Sequence, residues 1–413
     1  MLRVWDNTTM PELSKIIGLL LVALAVALIT RRTRRPYTVA LVIAGLVLGM
    51  LQLVEAIQLS KELVLMVFLP PLLFEGALHI RAAILRPRAG LVLSLSLLGT
   101  LLTALIVGAA AHWLLGFDWL SGLLLGAIIA PTDPVSVLAT FRAAHVDEEL
   151  ATIVESESLF NDGIAVVLYL LLLSALGGTP LEPLRGIGEF ALVVGGGALV
   201  GLGLGFLSMR LLSRLGDHLV EVMVTLVAAY GAFLLAEEFH VSGVIAVSVI
   251  GLVIGNHGWS RAPSLETREN VALFWEVVAF LVNSILFLLV GFELRPSLLI
   301  DDLLSIVIVF GVLIVGRALI VYGMGALSRW MGRGLPSSWQ HVIVWGGLRG
   351  SVPVALALGL PLTLAGRDNL VAIVFGVVLF SLLGQGLTIP SLLRRLGLVR
   401  RETNAHAEFQ KEE

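Results

Sequence analysis

The sequence predicts an all-α polytopic membrane protein of about thirteen transmembrane helices, two of which are discontinuous. Of its 413 residues, 58% are hydrophobic and only 14% are charged, too little charge for a soluble domain of this length. Apolar runs of about 20 residues, the length that crosses the hydrocarbon of a bilayer, recur from end to end. Two of these runs are interrupted by prolines or glycines around a charged residue, which predicts two broken helices.

The composition excludes several kinds of partner and site. The formal net charge is −3, so no basic surface suggests a nucleic acid. The chain has no cysteine, which excludes disulfides and thiolate metal sites. The nucleotide-binding pattern GxxxxGK[ST] is absent, and we expect no cofactor. The first apolar run is followed rather than preceded by its arginines, which favours a retained first helix over a signal peptide.

The predicted segments follow one another without a long linker. They span roughly 13–30, 37–51, 59–79, 89–112, 121–141, 150–176, 184–209, 219–237, 241–256, 270–293, 301–322, 339–360 and 369–391. Turn residues separate them, as in GGTPLEP (177–183), RAPS (261–264) and RGLPSS (333–338).

The distribution of positive charge predicts the orientation. With the arginines of RRTRR (31–35) in the cytoplasm, strict alternation places 19 of the 27 lysines and arginines on the cytoplasmic side and six outside. The other two, Arg317 and Arg349, lie within segments. This asymmetry satisfies the positive-inside rule. We therefore expect a multi-pass protein of the cell membrane, with its N-terminus outside and its C-terminus cytoplasmic.

Charged side chains at membrane depth mark the candidate site. The six are Glu75, Asp133, Glu157, Asp162, Arg317 and Arg349, with Thr132, Ser158 and Asn161 beside them. Each ionised group at the centre of a bilayer costs about 2.5–3.5 kcal/mol on insertion scales, so each needs a partner or water. Six such groups with an acidic excess favour a hydrated polar pathway over a set of structural ion pairs.

Depth within the segments suggests which of these groups pair. Glu157 and Arg317 lie at similar distances from the cytoplasmic ends of segments 6 and 11, so we predict a structural ion pair, with Arg349 as the competing partner. Asp133 and Asp162 are then left without a fixed cation, which suits a mobile cation or a proton. Asp162 shares a helix face with Ser158, four residues before it.

The two broken segments complete the pattern. APTDPV (130–135) should unwind segment 5 around Thr132 and Asp133 and free carbonyl ligands. GGLRGSVP (346–353) predicts a second break around Arg349 in segment 12. Interrupted helices in oppositely oriented halves indicate an inverted-repeat secondary transporter, and Asp133 and Arg349 would help to neutralise the dipoles of the half-helices.

Five motifs in this order resemble the NhaP-type sodium/proton antiporters, relatives of the animal sodium/proton exchangers. They are FLPPLLFEGAL (68–78), APTDPVSV (130–137), ESESLFNDGIAVVLY (155–169), VGRALIVY (315–322) and GGLRGSVPVALAL (346–358). The resemblance implies a homodimer whose protomers each carry an antiporter core domain, about 89–176 and 301–391, and a dimerisation domain, about 13–79 and 184–293. A short cytoplasmic tail, 401–413, follows the transmembrane domain at 1–400.

The resemblance also implies the roles of the site residues. Asp162 is the principal carboxylate for the ion and the proton, and Asp133, Thr132 and Ser158 join it as Na⁺ ligands, with Glu75 as a candidate further member. Glu157 and Arg317 match the family's ion pair; with Asn161 and Arg349 they support the site. Asn161 stands where electrogenic relatives carry a second aspartate, which implies electroneutral exchange of one Na⁺ (or Li⁺) for one proton.

Three alternatives remain open at the level of sequence. A K⁺/H⁺ antiporter would use the same oxygen ligands, and a passive cation channel would pass ions without proton coupling. An intramembrane aspartyl protease would need Asp133 and Asp162 to share a proton, but would leave the second broken helix without a purpose. We expect the protein to be a transporter and not an enzyme, and we expect membrane lipid to surround it.

Overall fold

The computed structural model describes residues 9–33, 37–51, 63–178, 183–258, 265–294, 296–330 and 334–399. The predicted tail 401–413 lies outside these residues, as do 59–62 of the third predicted segment and the turn positions 179–182, 261–264 and 333. Within the described ranges the chain is helical and contains no strand, which confirms the all-α class.

Each of the thirteen predicted segments corresponds to a helix or a broken helix in the described ranges. Ten are single helices: Thr9–Thr33, Tyr37–Leu51, Leu69–His79, Ala89–Leu115, Glu148–Leu176, Pro183–Leu212, His218–Glu238, Gly243–Val253, Leu265–Glu293 and Leu303–Trp330. Segments 5 and 12 are broken by non-helical residues: Trp119–Ile129 and Val135–Ala144, Ser337–Trp345 and Ser351–Leu358. Segment 13 stays helical throughout, with a π turn between its α-helical parts, Arg367–Phe380 and Leu387–Arg395.

Short pieces join these helices. The helix Ala82–Leu85 and a 3₁₀ turn, Arg86–Arg88, lead into segment 4, and the helix Pro296–Asp301 precedes segment 11. Turns of π-helix open segment 3 at Leu63–Phe68, extend segment 9 at Ile254–Gly258 and lie within segment 13 at Ser381–Gly386. Seven helical stretches in the described residues are, by length and composition, long and apolar enough to cross a membrane.

Aspartate side chains cap the first turn of several helices. The Asp118 carboxylate accepts a hydrogen bond from the backbone N–H of Ser121 at the start of segment 5, and Asp147 and Asp217 cap segments 6 and 8 in the same way. These caps satisfy amide groups that the first helical turn leaves without a partner. The helices therefore begin at defined residues in short connections.

Small residues let the helices approach closely. A Cβ added at Gly45 in segment 2 would collide with the carbonyl oxygen of Leu288 in segment 10, and one at Gly291 would collide with that of Val42. Glycine at such contacts is the usual device of membrane helices, whose association depends on close packing. Segments 4, 6, 11 and 13 pack around the two broken helices, segments 5 and 12, which brings the predicted polar residues of segments 5, 6, 11 and 12 together.

Candidate functional site

The two broken segments cross at their non-helical residues. Pro131 and Pro134 flank the interruption in segment 5, and Gly346–Gly350 forms the one in segment 12. The backbone N–H of Asp133 donates to the carbonyl oxygen of Leu348 at 2.8 Å. This bond joins the two interruptions directly, so the position of one depends on the other.

Opposite charges lie at the two helix ends exposed by the break in segment 5. The Arg349 guanidinium donates from Nη1 to the carbonyl oxygens of Ala130 at 2.9 Å and Pro131 at 3.1 Å, where the first half-helix ends. The Asp133 Oδ1 accepts from the backbone N–H of Val135, where the second half-helix begins. Each charge has the sign that its half-helix dipole favours. Two of the carbonyls that the sequence predicts as cation ligands are thus bound to Arg349 instead.

Hydroxyl and amide groups from segments 5 and 6 form a buried network. The Thr132 and Ser158 hydroxyl oxygens lie 2.8 Å apart. The Asn161 Nδ2 donates to the Thr132 hydroxyl at 2.7 Å and to Glu157 Oε1 at 3.1 Å, and its Oδ1 accepts from the Thr132 backbone N–H at 3.2 Å. All four side chains are almost fully buried. Asn161 therefore links the unwound backbone of segment 5 to the carboxylate of Glu157.

Glu157 pairs with Arg317 rather than with Arg349. The two terminal nitrogens of the guanidinium each donate to one carboxylate oxygen at 2.8 Å. The sequence predicts that segment 11 ends at residue 322, whereas the helix continues to Trp330. The apolar run ends before the helix does, because a helix extends beyond the hydrocarbon wherever its backbone hydrogen bonds continue. Arg317 therefore lies further from the end of its helix than the sequence indicates.

Two carboxylates keep free oxygens at the centre of this arrangement. Asp162 Oδ1 and Asp133 Oδ2 are buried and have no hydrogen-bond partner among the described residues. The charges of Asp133, Glu157 and Arg349 all act electrostatically on Asp162. A buried oxygen without a partner costs free energy, which a hydrogen-bond donor or a cation would offset.

Glu75 lies in a different contact group. Its carboxylate is 3.2 Å from the Nδ1 of His79, one helical turn further along segment 3, and it interacts electrostatically with Glu155 on segment 6. These contacts of the described residues join Glu75 to the end of segment 3 rather than to Asp162. Its role as a cation ligand stays a prediction.

Three supporting residues were not predicted from the sequence. The Ser96 hydroxyl of segment 4 donates to the backbone oxygen of Glu157 at 3.0 Å. Ser381 and Gln385, in the π turn of segment 13, bond to backbone groups at the break in segment 12. Their signal in the sequence is a pair of polar residues four apart in the apolar run SLLGQG (381–386); neither residue is charged.

Residues 18–395 match the family described as "Sodium/hydrogen exchanger, transmembrane". The chain belongs to the sodium/hydrogen exchanger family. Among its relatives, the Na⁺/H⁺ antiporter ApNhaP of Aphanothece halophytica is 42% identical over 376 residues, which cover 88% of this chain and 70% of that protein. The Na⁺/H⁺ antiporter NhaH of Halobacillus dabanensis is 37% identical, covering 93% of this chain and 98% of its own.

The fold agrees with that of a solved structure. The sodium proton antiporter MjNhaP1 from Methanocaldococcus jannaschii superposes with a TM-score of 0.77 at 24% identity, over 95% of this chain and all of that one. At this identity the likeness concerns the fold. Sodium/hydrogen exchanger membership and this superposition identify a multi-pass membrane transporter, as the sequence predicts.

Proposed function

We propose that the chain is a secondary-active Na⁺/H⁺ antiporter that exchanges one Na⁺ (or Li⁺) for one proton by alternating access. Family membership supports the reaction class, and the relatives named above carry it in their names. The single observation that carries the proposal is the pair of buried carboxylate oxygens without a partner, Asp162 Oδ1 and Asp133 Oδ2.

The oxygens near Asp162 suit a small monovalent cation. Hard cations bind oxygen ligands, and Asp162, Asp133, Thr132 and Ser158 supply carboxylate and hydroxyl oxygens. The two hydroxyls share one hydrogen bond, and each hydroxyl oxygen has two lone pairs. The Thr132 hydroxyl also accepts from Asn161, so each hydroxyl oxygen keeps one lone pair for a cation when Thr132 donates to Ser158.

Competition for Asp162 couples the two ions. An ionised carboxylate binds Na⁺, whereas a protonated carboxyl is a poor ligand for a hard cation. Asp162 therefore holds either a proton or Na⁺ but not both. When the occupied site changes the side of the membrane that it faces, each ion can move only in exchange for the other.

The neighbours of Asp162 limit the stoichiometry to one proton. The Asn161 amide occupies both of its Nδ2 hydrogens in bonds to Thr132 and Glu157 and carries no titratable group. Glu157 is bound to Arg317 through two charge-assisted hydrogen bonds and keeps its charge. We assign Asp133, which caps the second half-helix, a constant charge through the cycle. Asp162 alone then titrates, and the exchange is electroneutral.

The packing supports a division into two domains and a homodimer. Segments 4–6 contact segments 11–13, whereas segment 2 packs on segment 10 and segments 3, 7 and 8 pack on segment 9. These groups follow the core domain (89–176, 301–391) and the dimerisation domain (13–79, 184–293). Segment 7 exposes the large apolar side chains of Leu192, Leu199 and Phe206, which a second copy or lipid would cover.

Contacts between two loops support the proposed orientation. Arg81 and Arg88, in the connection from segment 3 to segment 4, form ion pairs with Glu148 and Glu149 at the start of segment 6. These connections therefore lie on the same side of the protein. They carry the excess of arginine that assigns this side, and the C-terminus, to the cytoplasm.

Proton movement in vesicles tests the function and the site together. Purified protein in liposomes that enclose a pH-sensitive dye should move protons when Na⁺ or Li⁺ is added, and Asp162→Asn should not. Asp217→Asn is the matched control, because Asp217 caps segment 8 and asparagine also caps helices well. Exchange at the wild-type rate in Asp162→Asn would remove Asp162 from its role. Proton movement driven by K⁺ alone would make the protein a K⁺/H⁺ antiporter, and cation flux without proton movement would make it a channel.

A further inference from the structure

The break in segment 12 leaves backbone groups without helical partners. The first half-helix ends at Trp345 and the second begins at Ser351, so the amides and carbonyls between them cannot complete the helical pattern. Arg349 lies in this interruption and is itself buried, with 1% of its surface exposed. A buried backbone group needs a hydrogen-bond partner from elsewhere in the protein.

Two side chains of segment 13 supply these partners. The backbone N–H of Arg349 donates to the Ser381 hydroxyl at 3.0 Å, and the Gln385 Nε2 donates to the Trp345 carbonyl oxygen at 3.2 Å. The Ser381 hydroxyl in turn donates to Gln385 Oε1 at 2.8 Å. Both side chains are buried. Three bonds in series thus connect the two edges of the break through one polar pair.

The polar pair lies in an irregular turn. Residues Ser381–Gly386 form a π turn between the two α-helical parts of segment 13. Such turns are rare within helices and are frequent at functional sites. The irregular turn lies directly against the irregular part of segment 12.

The peptide unit held by Ser381, between Leu348 and Arg349, contacts the proposed ion site, and Gln385 holds Ser381 and the other edge of the break. The Leu348 carbonyl accepts from the Asp133 backbone N–H, and a Cβ at Gly350 would collide with the Asp133 side chain. The Arg349 side chain binds the carbonyls of Ala130 and Pro131. A shift of the backbone around Arg349 would therefore move Asp133 and the end of the first half-helix of segment 5.

We propose that Ser381 and Gln385 are positioning residues of the antiport site, which act through the backbone of segment 12 to hold Asp133 in place for Na⁺. This proposal rests on the proposed function. It assigns to segment 13 a part in ion affinity beyond packing. The two side chains contact neither Na⁺ nor the transported proton. They hold the non-helical residues of segment 12 in position.

The test is the apparent KM for Na⁺ in proteoliposomes, measured with the maximal rate and with the melting temperature in detergent. Ser381→Ala should raise the KM about tenfold, the change expected when the buried N–H of Arg349 loses its hydrogen-bond partner. Ser381→Thr keeps the hydroxyl and should restore a KM close to that of the wild type. Gln385→Met removes the amide that binds Ser381 and the Trp345 carbonyl, and it should raise the KM as well. This variant tests the proposal if Ser381→Ala does not fold.

Thr388→Ala is the matched control. The Thr388 hydroxyl accepts a hydrogen bond from the indole Nε1 of Trp345 at 2.7 Å, so it joins the same two segments without contacting the backbone of the break. This variant should keep the wild-type KM even if its melting temperature falls. An unchanged KM in Ser381→Ala and Gln385→Met, or an equal rise in Thr388→Ala, overturns the positioning role while Na⁺-driven proton movement by the wild type persists. Absence of that movement in the wild type overturns the proposed function, and this inference with it.

Discussion

Arg317 holds the carboxylate of Glu157 with both terminal nitrogens of its guanidinium, each 2.8 Å from one oxygen. The two side chains are 8% and 2% exposed, so water contributes little to the stability of either charge. The pair joins segment 11 to segment 6 one helical turn from Asn161. The paired charges neutralise each other, and Glu157 in turn accepts a hydrogen bond from Asn161 of the candidate site.

Removal of one member of this pair should be severely destabilising. Arg317→Met leaves the Glu157 charge buried without a partner, a loss of about 3–5 kcal/mol. The double variant Glu157→Gln, Arg317→Met should recover much of it. Thermal unfolding in detergent measures both.

The exposed ion pair of Arg81 and Glu148 is the control. Its side chains are 61% and 56% exposed, and pairs in water contribute little to stability. Arg81→Met should therefore melt close to the wild type. A similar loss in Arg81→Met and Arg317→Met would mean that burial does not determine the importance of the Glu157 pair.

A methyl group at the crossing of the broken helices should impair transport. In Gly350→Ala the new Cβ would collide with the Asp133 side chain, so Asp133 or the backbone of segment 12 must move. We expect the rate of Na⁺/H⁺ exchange to fall at least about tenfold, as small displacements of site groups do in enzymes. Gly384→Ala, whose Cβ would meet no atom within 4 Å, should exchange normally. Normal exchange in Gly350→Ala would show that the contact with Asp133 is not needed.

A second carboxylate at position 161 should disable the site. In Asn161→Asp the two hydrogen bonds donated by Nδ2 to Thr132 and Glu157 are lost, because a carboxylate has no donor. Its charge also faces that of Glu157. We expect exchange to fall well below the wild-type rate, together with a lower melting temperature.

Asn256→Asp separates the loss of exchange from the loss of stability. The Asn256 amide also donates from Nδ2 to two backbone oxygens, those of Ile80 and Leu252, but it lies at the end of segment 9. This variant should lose stability and keep exchange once it is reconstituted. Equal losses of exchange in both variants would show that the effect of Asn161→Asp is general destabilisation.

The sequence predicts the breaks and the ion pair because each depends on local chemistry. Pro131 and Pro134 have no backbone N–H to donate, so the helix is interrupted between them whatever residues surround it. A buried glutamate requires a cation, and Arg317 and Arg349 were the two candidates within the segments. The choice between them depended on depth, to which the sequence gives only an approximate guide.

The partners of Arg349 and the role of segment 13 could not be predicted in this way. Arg349 binds backbone oxygens of segment 5, and any residue type can supply a backbone oxygen. Ser381 and Gln385 are uncharged residues in an apolar run, and their importance comes from a neighbouring helix that is broken at the same depth. Such relations between segments require the three-dimensional packing.

The current produced by Na⁺ on a supported membrane tests the central claim, that Asp162 alone alternates between a proton and Na⁺. Proteoliposomes adsorbed to the sensor receive a step in Na⁺ concentration, with Asp162→Asn vesicles as the blank. One charge exchanged for one charge predicts no sustained current, although the enclosed dye reports proton movement in the same preparation. A sustained current in the wild type that is absent from Asp162→Asn would contradict the claim, because a second group, Asp133 first, would then carry a proton through the cycle.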